Sequence, residues 1–100
     1  MRFALTLAVL VFALPAYAAG HAVQIKGMEF NPAKLEVAVG DTITFTNGDS
    51  GRHTATALDG FFDTGRLATG KSATVRIATA GKHDFRCMIH PSMKGTVTAK

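Results

Sequence analysis

Short segments in which apolar and polar residues alternate are the feature that most limits how this chain can fold. In residues 42–46, Ile43 and Phe45 share one parity while the threonines share the other. This period of two is typical of a half-buried β-strand, and β-branched residues favour the extended backbone. The alternation recurs around further apolar residues: Val23 and Ile25; Leu35, Val37 and Val39; Val75 and Ile77; Val97 and Ala99. Turn residues separate these segments and no window has a helical stripe, so the sequence predicts an all-β sandwich or barrel.

Several apolar residues fall outside these alternating segments. The stretch from Thr54 to Leu58 is β-like, whereas residues 59–71 have mixed character. We expect Phe61 and Phe62 to fold back onto the core and Met28 to pack inside it, because large apolar side chains are stabilised by leaving water.

The first residues have the organisation of a secretory signal. Met1 and Arg2 give a positive start, Phe3 to Leu14 form an almost unbroken apolar run, and Ala16-Tyr17-Ala18 places small residues at a cleavage site. A transmembrane anchor is the competing interpretation, but the run is shorter than the roughly 20 residues that cross a bilayer core. We therefore predict a signal peptide at residues 1–18, removed on export to the periplasm, and one domain at residues 19–100 that does not insert into a membrane.

The chain contains a single cysteine, Cys87, which matters because the predicted mature domain is small. A domain of this size buries only about 60% of its unfolded surface and commonly needs an additional constraint. Exported proteins usually gain that constraint from disulfides, but one cysteine forms no internal disulfide. A lone cysteine in such a protein is an intermolecular bridge, a reactive thiol or a metal ligand. The small size of the domain favours the metal.

The charge pattern argues against a nucleic-acid-binding protein. The chain has 11 lysines and arginines against seven aspartates and glutamates, and the positive residues are scattered without a run or stripe. Nucleic-acid binding usually needs basic residues that cluster on one face. The mild excess of positive charge favours solubility and acidic partners, and nothing in the sequence indicates an assembly larger than a monomer.

Three metal-competent side chains lie close together as C-x2-H-x2-M: the Cys87 thiol, the His90 imidazole and the Met93 thioether. Phe85 and Cys87 share strand parity, so Cys87 should point inward where the strand ends, and the following loop can wrap one ion. Thiolate and thioether ligands select copper, and imidazole suits copper in either oxidation state. Two histidines and a cysteine with a weak axial methionine define a blue-copper site.

The second histidine must come from elsewhere in the chain. His53 is the best candidate, because it follows a loop at residues 47–52 and opens the next β-like stretch. A structural zinc site normally has four Cys or His ligands, and iron–sulfur clusters need about four thiolates, so both fit less well. We predict one copper ion, cycling between Cu(I) and Cu(II), with these ligands: His53, Cys87, His90 and Met93.

The sequence resembles the cupredoxins, and among them the amicyanin-like group. Two residues separate the cysteine from the histidine and two separate the histidine from the methionine, as in that group. The resemblance implies a Greek-key β-sandwich with copper under one end. It also implies single-electron exchange with soluble or membrane-bound redox proteins, which would dock on an apolar patch around the ring edge of His90. The similar segments are FNPAKLEV (30–37), VGDTITFTN (39–47), AGKHDFRC (80–87) and HPSMKG (90–95).

The sequence therefore predicts a periplasmic electron carrier and not an enzyme, since it has one mononuclear site and no His-x-His pairs for further coppers. Copper transport or buffering is the main alternative, although the Met or His runs typical of such proteins are missing. A metal-free β-sandwich that binds partners, with a purely structural Cys87, is the third.

Four other polar residues lie outside this ligand set: His21, His83, Asn47 and Thr54. After cleavage, the terminus Ala19-Gly20-His21 could wrap a second Cu(II) through its amine, its amides and the imidazole, or be a solvated end. His83 shares inward parity with Cys87 but lies about 13 Å along the strand, so we expect a core residue and not a ligand. Asn47 and Thr54 are candidates for tying the His53 segment to the Cys87 loop.

Overall fold

The computed structural model of the protein describes residues 18–100, so nearly all of the predicted signal peptide lies outside the described part. Within that part the chain forms strands and turns with no helix, and therefore no helix able to cross a membrane. One four-stranded sheet has the order β2-β1-β4-β6 and the other β3-β8-β7-β5. The strands are β1 (Gly20–Lys26), β2 (Glu29–Asn31), β3 (Lys34–Val37), β4 (Thr42–Asn47), β5 (Thr56–Ala57), β6 (Ser72–Arg76), β7 (Gly81–Arg86) and β8 (Lys94–Ala99).

The two sheets enclose one core, and strand parity decides which residues enter it. In β4, Ile43 and Phe45 are fully buried while the alternating threonines are only partly buried. The β1–β4 and β3–β8 pairs are parallel, and the other pairs are antiparallel. The core centres on an aromatic cluster in which Phe85 lies 4.8 Å from Phe30 and 5.6 Å from Phe45, measured between ring centroids. The all-β sandwich predicted from the alternation is confirmed.

Gly95 lets the second sheet pack closely around this cluster. A Cβ atom at this position would overlap the Phe85 ring and come within 2.7 Å of the Ala33 carbonyl oxygen. Because Gly95 pairs with Phe85 in the β7–β8 ladder, the missing side chain makes room for the aromatic ring directly before the loop that carries Cys87.

Three expectations for apolar residues are wrong. Met28 is 47% exposed because it lies in the β1–β2 turn, where its φ of 60° directs the side chain away from the core. Phe61 is exposed while Phe62 is buried, because Phe61 lies in the bend after Gly60, where its ring covers His83 at 4.9 Å between ring centroids. Val39 is exposed because β3 ends at Val37 and the chain then turns.

His83 is a buried core residue of β7, as its parity predicts. Its Nδ1 lies 2.7 Å from the Asp59 carboxylate and its Nε2 lies 2.8 Å from the Thr79 carbonyl oxygen. Both partners are acceptors only, so the ring satisfies both when both nitrogens carry protons. The bonds to Asp59 and Thr79 accordingly raise the pKa of His83. The His83 ring therefore joins the turn after β5 to the turn before β7.

We predict that His83→Gln destabilises the protein more in mild acid than in mild base. A histidine with a raised pKa contributes stability that is fully present below its unfolded pKa of about 6.5 and lost as pH rises through the folded value. Burial raises the pKa of Asp59, but the bond from His83 helps to lower it overall. The stability contributed by the ion pair is therefore lost again in strong acid, where Asp59 becomes protonated. Thermal unfolding of both proteins near pH 5 and near pH 9 measures the difference. Lys82→Gln, at an exposed neighbour, is the control; an equal loss at both pH values for His83→Gln would contradict the ion pair.

Candidate metal centre

The loop between β7 and β8 brings three of the predicted ligands to one end of the sandwich. β7 ends at Arg86, so Cys87 is the first residue of the loop, and β8 begins directly after Met93. The Cys87 amide donates to the Met93 carbonyl at 3.0 Å, and the Met93 amide donates to the His90 carbonyl at 2.9 Å. These bonds close the loop on itself, with Cys87 and Met93 buried and His90 partly exposed.

His53 comes to the same end of the sandwich from the segment between β4 and β5. An antiparallel bridge to Leu67 fixes its backbone, with N–O distances of 3.2 and 2.8 Å. Its Nδ1 lies 3.8 Å from the Cys87 sulfur, and the Nδ1 of His90 also lies 3.8 Å from that sulfur. The ligand atoms of the three residues all lie within 4.8 Å of one another. The structure thus brings His53, Cys87 and His90 together, and buries Met93 at the end of the same loop.

The electrostatics of the pocket favour a thiolate. Burial by itself raises the pKa of the Cys87 thiol, but hydrogen bonds from the backbone of Thr54 and His90, with smaller contributions from the two imidazoles, outweigh it and lower the pKa to about 6. The sulfur is therefore largely ionised at neutral pH, which is the form that binds metal. A thiolate, two imidazoles and a thioether are soft or borderline donors, and this set fits one copper ion.

Thr54 ties the His53 segment to the Cys87 loop, as predicted. Its amide donates to the Cys87 sulfur at 3.3 Å, and its hydroxyl accepts from the Met88 amide at 2.9 Å. Asn47 has a different role from the one expected. Its side chain donates to the carbonyls of Gly51 and Leu67 at 2.8 and 2.7 Å, so it braces the loop before His53 without touching the Cys87 loop.

Asp49 is a functional residue that the sequence reasoning missed. Its carboxylate lies 2.9 Å from His53 Nε2 and also accepts from the turn amides of Gly27 and Met28, at 2.8 and 3.0 Å. The two amides, ahead of His53, lower the pKa of Asp49, which keeps it anionic. Because a carboxylate only accepts, Nε2 of His53 carries the proton and Nδ1 keeps its lone pair towards Cys87. An acid four residues before the histidine was the available sequence signal, and by itself it is weak.

The terminal residue His21 does not have the form of the copper chelate considered above. It lies in β1, paired with Ile43 of β4, and its Nε2 is 2.9 Å from the Asp41 carboxylate. Wrapping Cu(II) with the backbone amides of this segment would require the start of β1 to leave β4.

We predict that Asp49→Asn weakens copper binding by about 10- to 100-fold, because the group that orients His53 and fixes its tautomer loses its charge. The reduction potential should rise, since less negative charge then stabilises Cu(II). Competition against a chelator gives the affinity, and a redox titration gives the potential. Asp84→Asn, which changes an exposed carboxylate that accepts from the Thr96 hydroxyl and pairs with Lys82, should change neither quantity. An Asp49→Asn protein with unaltered affinity and potential would show that the carboxylate only braces the turn.

Comparison with known proteins agrees with this geometry. The curated amicyanin of Paracoccus denitrificans is 28% identical over 83 residues, which are 78% of this chain and 63% of that protein. A reduced amicyanin mutant has 26% identity and a TM-score of 0.75, over 81% of this chain and 82% of that one. The copper-containing nitrite reductase of Thermus scotoductus SA-01 has 32% identity and a TM-score of 0.75, over 81% of this chain but 22% of that one.

The chain thus spans less than two thirds of the curated amicyanin that it matches, and it resembles only one part of the nitrite reductase. The profile of the cupredoxin-like domain family, in contrast, matches residues 2–99, nearly the full sequence. Together with the two four-stranded sheets and the cluster of two histidines and a buried cysteine at one end, this match identifies the chain as a member of the cupredoxin-like family.

Proposed function

We propose that this protein is a periplasmic one-electron carrier whose type 1 copper ion is bound by His53, Cys87, His90 and Met93. The observation that carries the proposal is the position of the buried Cys87 sulfur, 3.8 Å from Nδ1 of each imidazole. The low thiol pKa, about 6, and the amicyanin-like relatives support the same assignment.

When bound, copper supplies the change of oxidation state, and the protein supplies ligands that stay in place during it. His53 is held on both sides, by its backbone bridge to Leu67 and by the bond from its ring to Asp49. Cys87 is held by the Thr54 amide and by the backbone bond to Met93. Such support keeps the geometry similar in both oxidation states, which favours fast electron exchange.

The surface around His90 is suited to a redox partner. His90 is the one partly exposed member of the histidine and cysteine cluster in the described residues. Its neighbours Met88 and Ile89 are 52% and 39% exposed, and exposed large apolar side chains are typical of docking surfaces. We propose that partners dock there and that electrons pass through the His90 ring. The chain matches only 22% of the nitrite reductase, so we do not carry the activity of that enzyme over to it. We propose that it acts as an electron carrier without catalysis, as a monomer after export.

Reversible voltammetry together with a copper-retention assay tests this function. The carrier hypothesis predicts one reversible one-electron wave and full retention of copper after many redox cycles in the presence of a Cu(I) chelator such as bathocuproine disulfonate. The buried thiolate and the braced ligands are the physical reason for retention. Loss of copper to the chelator on each reduction would contradict the carrier and favour the copper transport alternative.

A Met93→Ala variant, which loses the weak axial donor, should keep its copper in the oxidised form with a shifted potential.

A further inference from the structure

The Asp41 carboxylate accepts hydrogen bonds from two separate segments, the start of β1 and the turn between β3 and β4. The residue is 5% exposed, and its carboxylate lies 2.9 Å from each of three nitrogens: the amides of Ala19 and Ala38 and the Nε2 of His21. The Ala38 bond closes the turn between β3 and β4, whereas the bonds from Ala19 and His21 hold the start of β1. The donors from His21, Ala38 and Ala19 together lower the pKa of Asp41 against the effect of burial, so the group is anionic.

Ala19 is held through both its backbone nitrogen and its carbonyl oxygen. Its nitrogen donates to Asp41 Oδ1, and its carbonyl accepts from the Thr42 amide at 3.0 Å. Ala18, the first residue that the structure describes, is exposed. The backbone nitrogen that meets the buried carboxylate is therefore the one that follows the small-residue sequence Ala16-Tyr17-Ala18, where the sequence predicts cleavage.

We propose that Asp41 is the binding site for the new α-ammonium group of Ala19, created when the signal peptide is removed after Ala18. Hydrolysis of the Ala18–Ala19 peptide bond by water leaves a carboxylate on the released peptide and an ammonium group on Ala19. An amide donor 2.9 Å from Asp41 then becomes a cation at the same position. The amide already donates to an anionic carboxylate, so cleavage adds the attraction between opposite charges at the same short distance, and the processed chain is more stable than the same fold with any residue attached.

The position of the cut is important because the Asp41 carboxylate already has other partners. The His21 ring already lies on Oδ2 of the same carboxylate, and the Arg76 guanidinium lies near the turn, 3.8 Å from where a Cβ on Gly40 would be. A terminus longer by one residue moves the ammonium group out to the exposed Ala18 and leaves a neutral amide on Asp41. A terminus shorter by one residue removes the donor altogether.

The proposal rests on the predicted signal peptide, and purified proteins test the contact without any export. Three forms are made from a removable amino-terminal fusion: one starting at Ala19, one starting at Ala18, and an acetylated form of the first. The Ala19 form should unfold at a temperature higher by a few degrees than the other two, because only it places a cation on the carboxylate. Equal midpoints for the three forms would overturn the proposal.

Asp41→Asn provides the matched control for charge. In that background the Ala19 and Ala18 forms should have the same midpoint, whereas a persisting difference would mean that length and not charge is responsible. The copper spectrum should be identical in all forms, since the contact lies outside the metal centre. Should the Asn variant fail to fold, the acetylated form still isolates the charge. The mass of the exported protein then decides whether cells use the contact: a start at Ala19 supports the proposal, and any other start contradicts it even if the protein is exported and carries electrons.

Discussion

Burial of the Cys87 sulfur is the constraint on which the other features of the structure depend. A thiolate with no exposed surface is costly to remove from water unless neighbouring groups compensate its charge. Here the Thr54 amide supplies part of the compensation by donating to the sulfur, and the two imidazoles place their Nδ1 atoms 3.8 Å from it, around the position for a shared metal ion. A copper ion bound between these groups would complete the compensation, so the metal and the fold would favour each other.

This mutual dependence explains how a small domain with one cysteine stays folded. Cys87 and His53 are 34 residues apart in the chain, and a metal ion bound by both would restrain that separation as a disulfide does. Because the unfolded chain has no preformed site, copper binding adds directly to the stability of the native state. At the other end of the sandwich, the Asp41 carboxylate provides a second, metal-free restraint that fixes the start of β1 to the β3–β4 turn.

The sequence was most informative where local pattern and local chemistry coincide. The inward parity of Ile43 and Phe45 follows from strand geometry alone, and the close spacing of Cys87, His90 and Met93 exposes their shared chemistry. The prediction that Met28 and Phe61 lie in the core rests on their hydrophobicity, which measures only the free energy gained by burial. Both residues lie in turns or bends, and the backbone there keeps their side chains at the surface. Asp49 was missed because its role depends on three groups that meet only in the folded chain: His53, Gly27 and Met28.

The visible absorption spectrum of the purified protein with Cu(II) shows whether copper is bound to the Cys87 sulfur. We expect an intense sulfur-to-copper band that gives a blue colour, bleaches with ascorbate and returns on oxidation, and is absent from a Cys87→Ser variant. A weak d–d band alone, or an unchanged spectrum in Cys87→Ser, would mean that copper is not bound to the Cys87 sulfur, and the account of the site would be wrong.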